Sequence, residues 1–208
     1  MSPPTRRTLR PARAGRGAAV AAALALSSAL GVAGCATGIA ASTPASNGQS
    51  FVAGNPGTTE FKSGSGPVAP PVSGPVVGGG RLALASYRGH VVVLNFWGSW
   101  CTPCRAEAPA LSALATAFKS SGVRFLGIDI RDSPATAEAF MSDFRITYPS
   151  LNDPSDNLAL DFRDTVPPAG IPTTLVISRS GRITARVIGE ATYDGLKTLV
   201  QRAAAEPG

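Results

Sequence analysis

Histidine is nearly absent from this chain: among 208 residues only His90 carries an imidazole, and there are three cysteines, Cys35, Cys101 and Cys104. A zinc site usually takes four Cys, His or carboxylate ligands, so no metal is expected, and nothing in the sequence asks for another cofactor. Three cysteines are too few for the multi-bridge framework of a small secreted scaffold. A domain of roughly 140 residues buries about two-thirds of its unfolded surface without such staples, so each cysteine needs its own explanation. No long apolar run occurs either. The longest, Ala18 to Leu30, falls short of the ~20 residues that cross a bilayer core, which argues against a permanent transmembrane helix. Acidic residues are missing ahead of Cys35, whereas Arg6, Arg7, Arg10, Arg13 and Arg16 all lie there. Five units of the formal charge of +6 therefore belong to the first segment, and from Cys35 onward 14 basic residues face 13 acidic ones. A nearly neutral remainder gives no reason to expect a nucleic-acid partner.

The basic start, the apolar run and the small residues Ala33 and Gly34 have the layout of a secretory signal over residues 1–34. Val32-Ala33-Gly34-Cys35 is similar to the lipobox of bacterial lipoproteins, which implies that Cys35 is acylated and becomes the mature N-terminus. Two or more acyl chains, at about 0.8 kcal/mol per buried methylene, hold a protein stably at a membrane. Thr5-Arg6-Arg7-Thr8-Leu9-Arg10 is similar to a twin-arginine export signal, with Thr and Leu where Ser and Phe are usual; an ordinary basic segment reads the same way. Residues 35–66 are rich in Gly, Ser, Thr, Ala, Pro and Asn without apolar periodicity, and read as the lipidated cysteine plus a flexible linker.

The folded domain is expected over residues 67–205. Gly78-Gly79-Gly80 ahead of the alternating Arg81–Ala85 stretch suits a hairpin turn; the Lys-Ser/Thr pair of a phosphate loop does not follow it. Val91–Trp97 is a β-branched and aromatic run of the kind that forms a strand buried on both faces. Leu111, Leu114 and Phe118 recur at helical spacing after Cys101, and Gly122 ends that helix. A strand over 123–130, a helix over 134–144, a short helix over 156–162, strands over 173–178 and 182–188 and a helix over 193–204 complete the order. Parallel crossovers followed by an antiparallel hairpin give an α/β domain with a mixed central sheet and helices on both faces, the plan of a thioredoxin-like fold.

Trp100-Cys101-Thr102-Pro103-Cys104 sits where the buried strand hands over to a helix. Cysteines three apart at a helix start share one face within disulfide reach, so a Cys101–Cys104 bridge is expected. The unpaired N–H groups and helix dipole stabilise a thiolate at the first. Cys101 is the expected nucleophile and Cys104 the resolving thiol. A zinc pair would need two further ligands, and a merely structural bridge would close too short a loop to constrain the unfolded chain strongly.

The stretch from Asn95-Phe96-Trp97 through Cys101-Thr102-Pro103-Cys104 to Glu107-Ala108-Pro109 resembles the active-site segment of the TlpA/ResA-like thioredoxins. The resemblance runs over roughly 68–205, with Tyr87-Arg88-Gly89 before the strand and Ile171-Pro172-Thr173-Thr174 near its end. It implies an exported thiol–disulfide oxidoreductase, many relatives being reductants in cytochrome c maturation. It also implies that Pro172 is a cis-proline facing the disulfide and that Ile171 makes peptide contact with a substrate strand. Glu107, three residues beyond Cys104 on the same helix face, is implied to take a proton from that thiol. If buried its carboxyl is raised and suited to the task; if exposed it is a surface acid. Asn95 replaces the buried Asp of general thioredoxins, and Thr102-Pro103 their Gly-Pro, so proton transfer falls more heavily on Glu107. Trp97 is expected in the core, Trp100 as a platform beside the thiol, and Arg105 either near the thiol or in solvent.

The expectation is therefore a lipid-anchored enzyme on the extracytoplasmic face of the cell membrane, acting on thiols or disulfides of exported proteins and recharged by a membrane thiol donor. An oxidase of the same fold is the alternative. A peroxiredoxin wants Pro-x-x-x-Thr-x-x-Cys, which Trp97-Gly98-Ser99-Trp100 does not supply, and a copper chaperone wants a distant His where His90 is badly placed.

Overall fold

The computed structural model of the protein describes residues 51–53, 57–167 and 170–207. The signal segment, the arginine pair, Cys35 and the linker up to residue 50 lie outside these residues.

Among the described residues nine strands and four α-helices follow one another as β1 (Phe51–Ala53), β2 (Thr58–Phe61), β3 (Ser73–Pro75), β4 (Arg81–Ala83), β5 (Val91–Trp97), α1 (Thr102–Ala117), β6 (Val123–Ile130), α2 (Pro134–Asp143), β7 (Ser150–Asp153), α3 (Asn157–Asp161), β8 (Thr173–Ile177), β9 (Ile183–Ile188) and α4 (Tyr193–Ala205). Seven strands form one sheet in the order β1-β2-β9-β8-β5-β6-β7; β3 and β4 make a separate hairpin whose turn places Gly78, Gly79 and Gly80 at positive φ. The strands β5, β6 and β7 run parallel, as the intervening helices require, while β8, β9, β2 and β1 add antiparallel pairs.

All seven residues of β5 are buried, so both sheet faces must be covered. Val92, Leu94 and Phe96 point into a core with Leu126, Ile128, Leu175 and Phe162, against which α3 and the β3/β4 hairpin pack. Val91 and Val93 point the other way, into a core with Leu111 and Leu114 of α1 and Leu196, Leu199 and Val200 of α4. Helix α2 closes that second face around Trp97, through Ala137 and Phe140. The mixed sheet with helices on both faces is thus borne out.

Two differences from the expectation have physical causes. Residues 58–66, assigned to the linker by composition, include β2, which pairs with β9 from Thr58↔Val187 to Glu60↔Ala185 and buries Phe61 in the first core. Pairing with an existing sheet edge orders a segment whose own sequence has no periodicity. Phe61→Ala should lower unfolding free energy by about 3 kcal/mol, read by urea denaturation, whereas a true linker residue would leave it unchanged. The second difference is β7, a polar strand with all four residues buried. Its burial rests on partners from elsewhere: Ser150 Oγ accepts from Trp97 Nε1 at 3.2 Å, and Asn152 Nδ2 donates to Asp129 Oδ2 at 2.8 Å.

Candidate active site

At the C-terminal end of β5 the chain leaves the sheet through Gly98-Ser99-Trp100 and enters α1. The turn closes with Cys101 N–H donating to the Gly98 carbonyl at 3.1 Å. Cys101 is the N-cap residue of α1 with extended backbone, and Pro103 sits in the first turn, where its missing N–H costs nothing. The Cys104 N–H, one of the helix's unpaired donors, is given to Cys101 Sγ at 3.2 Å. Cys101 and Cys104 are bridged, with Cα atoms 5.3 Å apart. The donor that faces the sulfur here is the one that would face its anion after reduction.

Glu107 is 1% exposed, the buried case set out from the sequence. Its Oε1 accepts from Asn95 Nδ2 at 2.7 Å and its Oε2 from the Ala191 N–H at 2.8 Å. Burial pushes the carboxyl up to about 7; the hydrogen bonds from Ala191 and Asn95 oppose this, and the charge of Glu190 adds to it. Asn95 spends its other amide hydrogen on Thr174 Oγ1 at 3.0 Å. A flipped amide would present its oxygen to a protonated Glu107 and accept from the Thr174 hydroxyl, so Asn95 can face either charge state of the carboxyl.

The Ile171–Pro172 bond is cis, as the resemblance implied. Thr173 pairs with Phe96 across β8 and β5, which sets Pro172 level with the departure of the cysteine turn. The Pro172 carbonyl accepts from Gly189 N–H at 2.8 Å. Ile171 packs against the cluster that contains both cysteines and, on its other side, against the first core. Trp100 is 52% exposed, with its indole N–H directed to the Ile130 carbonyl at 3.3 Å. Together Trp100, Ile171, Phe96, Ile130, Leu160 and Val166 line a largely apolar groove of about 190 Å³. Gly98 makes this ring position possible: a Cβ there would lie 2.7 Å from the Trp100 indole nitrogen.

Residues 66–186 match the model of the AhpC/TSA family. The chain belongs to that family. Among curated members of the wider group, the thiol:disulfide interchange protein HelX of Rhodobacter capsulatus is 36% identical over 107 residues, covering 51% of this chain and 56% of HelX. The thiol-disulfide oxidoreductase ResA of Bacillus subtilis is 34% identical over 114 residues, 55% of this chain and 62% of ResA. The chain thus spans less than two-thirds of the length of these relatives. A secreted thiol-disulfide isomerase from Corynebacterium glutamicum superimposes with a TM-score of 0.68 at 28% identity, covering 76% of this chain and all of that one. A DsbF homologue from Corynebacterium diphtheriae does so with a TM-score of 0.67 at 30% identity, covering 74% and 98%. The ResA-like resemblance and the thioredoxin-like fold are both borne out.

In this family member the structure brings Cys101, Cys104 and Glu107 onto one helix and sets Trp100 and Ile171 on one groove beside them. Trp97 is core, stacked on Phe140 with centroids 4.5 Å apart. Arg105 is engaged away from the sulfur: its Nε donates to the Ser99 carbonyl at 3.0 Å and its guanidinium lies 5.9 Å from the Phe144 ring. Sequence reasoning missed the Ala191 N–H, which comes from the loop before α4, and a second set of buried acids at the end of β6. Asp132 accepts from the Ser99 N–H at 2.6 Å and from its hydroxyl at 2.7 Å, and so anchors the turn two residues ahead of Cys101. An acid following a buried strand is the only sequence signal it offered. No group of side chains able to hold a metal occurs among the described residues.

Proposed function

We propose that the protein is a thiol–disulfide oxidoreductase that reduces disulfides of exported proteins from the outer face of the cell membrane, to which an acylated Cys35 tethers it. The observation that carries this reading is the Cys104 N–H held on Cys101 Sγ at a helix start, with a buried carboxyl on the same helix. In the reducing direction the Cys101 thiolate attacks a substrate disulfide, forming a mixed disulfide and releasing one substrate sulfur as a thiolate. Cys104 gives its proton to Glu107 and attacks Cys101 Sγ; the Cys101–Cys104 bond forms and the second substrate sulfur leaves as a thiolate that takes up a proton. The substrate gains two electrons, the protein loses two, and a membrane thiol donor restores the dithiol. Trp100, Ile171 and Pro172 are proposed to receive the substrate segment along the apolar groove. The resemblance to ResA-like reductants favours apocytochrome c or another envelope protein as the substrate.

Equilibration with glutathione tests the direction. A potential near −270 mV supports the reductase, and one near −120 mV would replace it with the oxidase of the same fold. A Cys104→Ala variant should hold its partners as mixed disulfides through Cys101, to be identified by mass spectrometry. Membrane attachment has its own test: Cys35→Ala should move the protein from the membrane to the soluble fraction, and an unchanged distribution would refute the anchor.

A further inference from the structure

Asp129 is fully buried near the end of β6, in register with Trp97 of β5, so it lies on the sheet face that carries the cysteine helix. Its Oδ2 accepts from Asn152 Nδ2 at 2.8 Å, and the same amide reaches the Asp132 backbone carbonyl at 3.3 Å. Asp129 Oδ1 receives no N–H or hydroxyl from any described residue. Among the described residues no ion pair reaches Asp129, and a side-chain hydrogen bond shared with Asp132 is among the causes that raise its carboxyl. Two carboxylates cannot hydrogen-bond to each other unless one holds a proton. Asp132 already accepts twice from Ser99, which leaves the proton to Asp129 and explains its bare oxygen.

We propose that Asp129 is a positioning residue for the cysteine turn: as a neutral carboxylic acid it donates to Asp132, and Asp132 in turn fixes Ser99 and hence the approach to Cys101. This rests on the thiol–disulfide reading given above. The groups facing Asp129 are Asp132 from the turn into α2, Asn152 from β7 and the uncharged Trp97 from β5, while the charge of Asp153 acts from the opposite face of the sheet. Burial, followed by the hydrogen bond to Asp132, lifts Asp129 to about 8; the Asn152 bond opposes this, and the charges of Asp132 and Asp153 reinforce it. A carboxyl so placed keeps its proton at neutral pH and loses it in the range where thiols titrate. Once ionised it sets a second negative charge against Asp132, weakening the hold on Ser99 and opposing thiolate formation at Cys101.

Two measurements test this on the full chain. The first is the rate of Cys101 alkylation in the reduced protein from about pH 6 to pH 9.5. The wild type should fall at least about twofold below a single thiol titration above pH 8. Asp129→Asn, which retains a neutral donor toward Asp132, should match the wild type within about twofold at pH 6.5 and follow the single titration throughout. Asp129→Ala, without the donor, should be about fivefold or more slower than Asp129→Asn at pH 6.5. Identical profiles for the wild type and Asp129→Asn, or for Asp129→Ala and Asp129→Asn, would overturn the proposal. The second is the infrared carbonyl band of a protonated carboxylic acid at pH 7 in Glu107→Gln protein, which should disappear when Asp129→Asn is added. Its absence before that substitution, or its persistence after, would also overturn the proposal. If wild-type Cys101 fails to alkylate or to form a reversible bridge, the oxidoreductase reading fails, while the infrared band still judges Asp129.

Discussion

Cys101→Ser should lower thiol–disulfide exchange by at least about a thousandfold, while Cys104→Ser should still attack substrates and stall as a mixed disulfide. The asymmetry follows from position. Cys101 occupies the N-cap of α1 and receives the Cys104 N–H on its sulfur, whereas Cys104 lies inside the first turn; both are buried. The first sulfur is the one whose anion the helix stabilises, and the second stands one turn behind it, placed to attack the mixed disulfide once the first has reacted. A stopped-flow insulin or small-disulfide assay, with gel analysis of the adducts, reads both results. Equal loss from both variants with no trapped adduct would remove the assignment of roles.

Glu107→Gln should both stabilise the protein and slow it. Folding raises this carboxyl from an ordinary 4.5 to about 7, chiefly by burial. Below about pH 4.5 the group is protonated in folded and unfolded chains alike and stability is unaffected by it. Between there and pH 7 the unfolded chain releases the proton while the folded one retains it, so stability falls as pH rises, by about 3 kcal/mol in all. Glutamine removes that loss, and it can donate to a flipped Asn95 amide while its oxygen keeps the Ala191 N–H. The variant should therefore be up to about 3 kcal/mol more stable than the wild type at pH 8 and nearly equal to it at pH 4. Resolution of the mixed disulfide by Cys104, deprived of its proton acceptor, should slow by about 100-fold and lose its dependence on pH around 7. Denaturant titrations at the two pH values and rapid-mixing kinetics test the two halves separately. Lower stability at pH 8 would mean that the carboxylate is held by its two hydrogen bonds more strongly than burial opposes it.

The sequence made the apolar elements legible and left the polar ones dark. The strands β5 and β6 stand out because both of their faces are buried and their residues are β-branched or aromatic; α1 stands out through Leu111 and Leu114. By contrast, Ser150, Asn152 and Asp153 carry no strand signal of their own. They form a strand because Trp97, Asp129 and the start of α3 supply partners, the last through the Ala159 N–H on Asp153 Oδ2 at 2.9 Å. Similarly, Glu107 was readable from its spacing to Cys104, but its Ala191 partner lies 84 residues away in the chain, and no local pattern announces such a bond. The Asp129 and Asp132 pair escaped for the same reason: carboxyl groups at sequence positions three apart normally face solvent, and only the fold turns both inward.

The β3/β4 hairpin does more than cover one core. Val77 N–H donates to the Ser150 carbonyl at 2.9 Å, and Val76 bridges to Leu151. Backbone groups that would otherwise invite a foreign strand at this rim are already occupied by the chain itself. On the proposed reading, a client polypeptide would thereby be denied lateral addition next to β7 and left the Ile171–Pro172 loop, where its disulfide would meet the sulfur that attacks it.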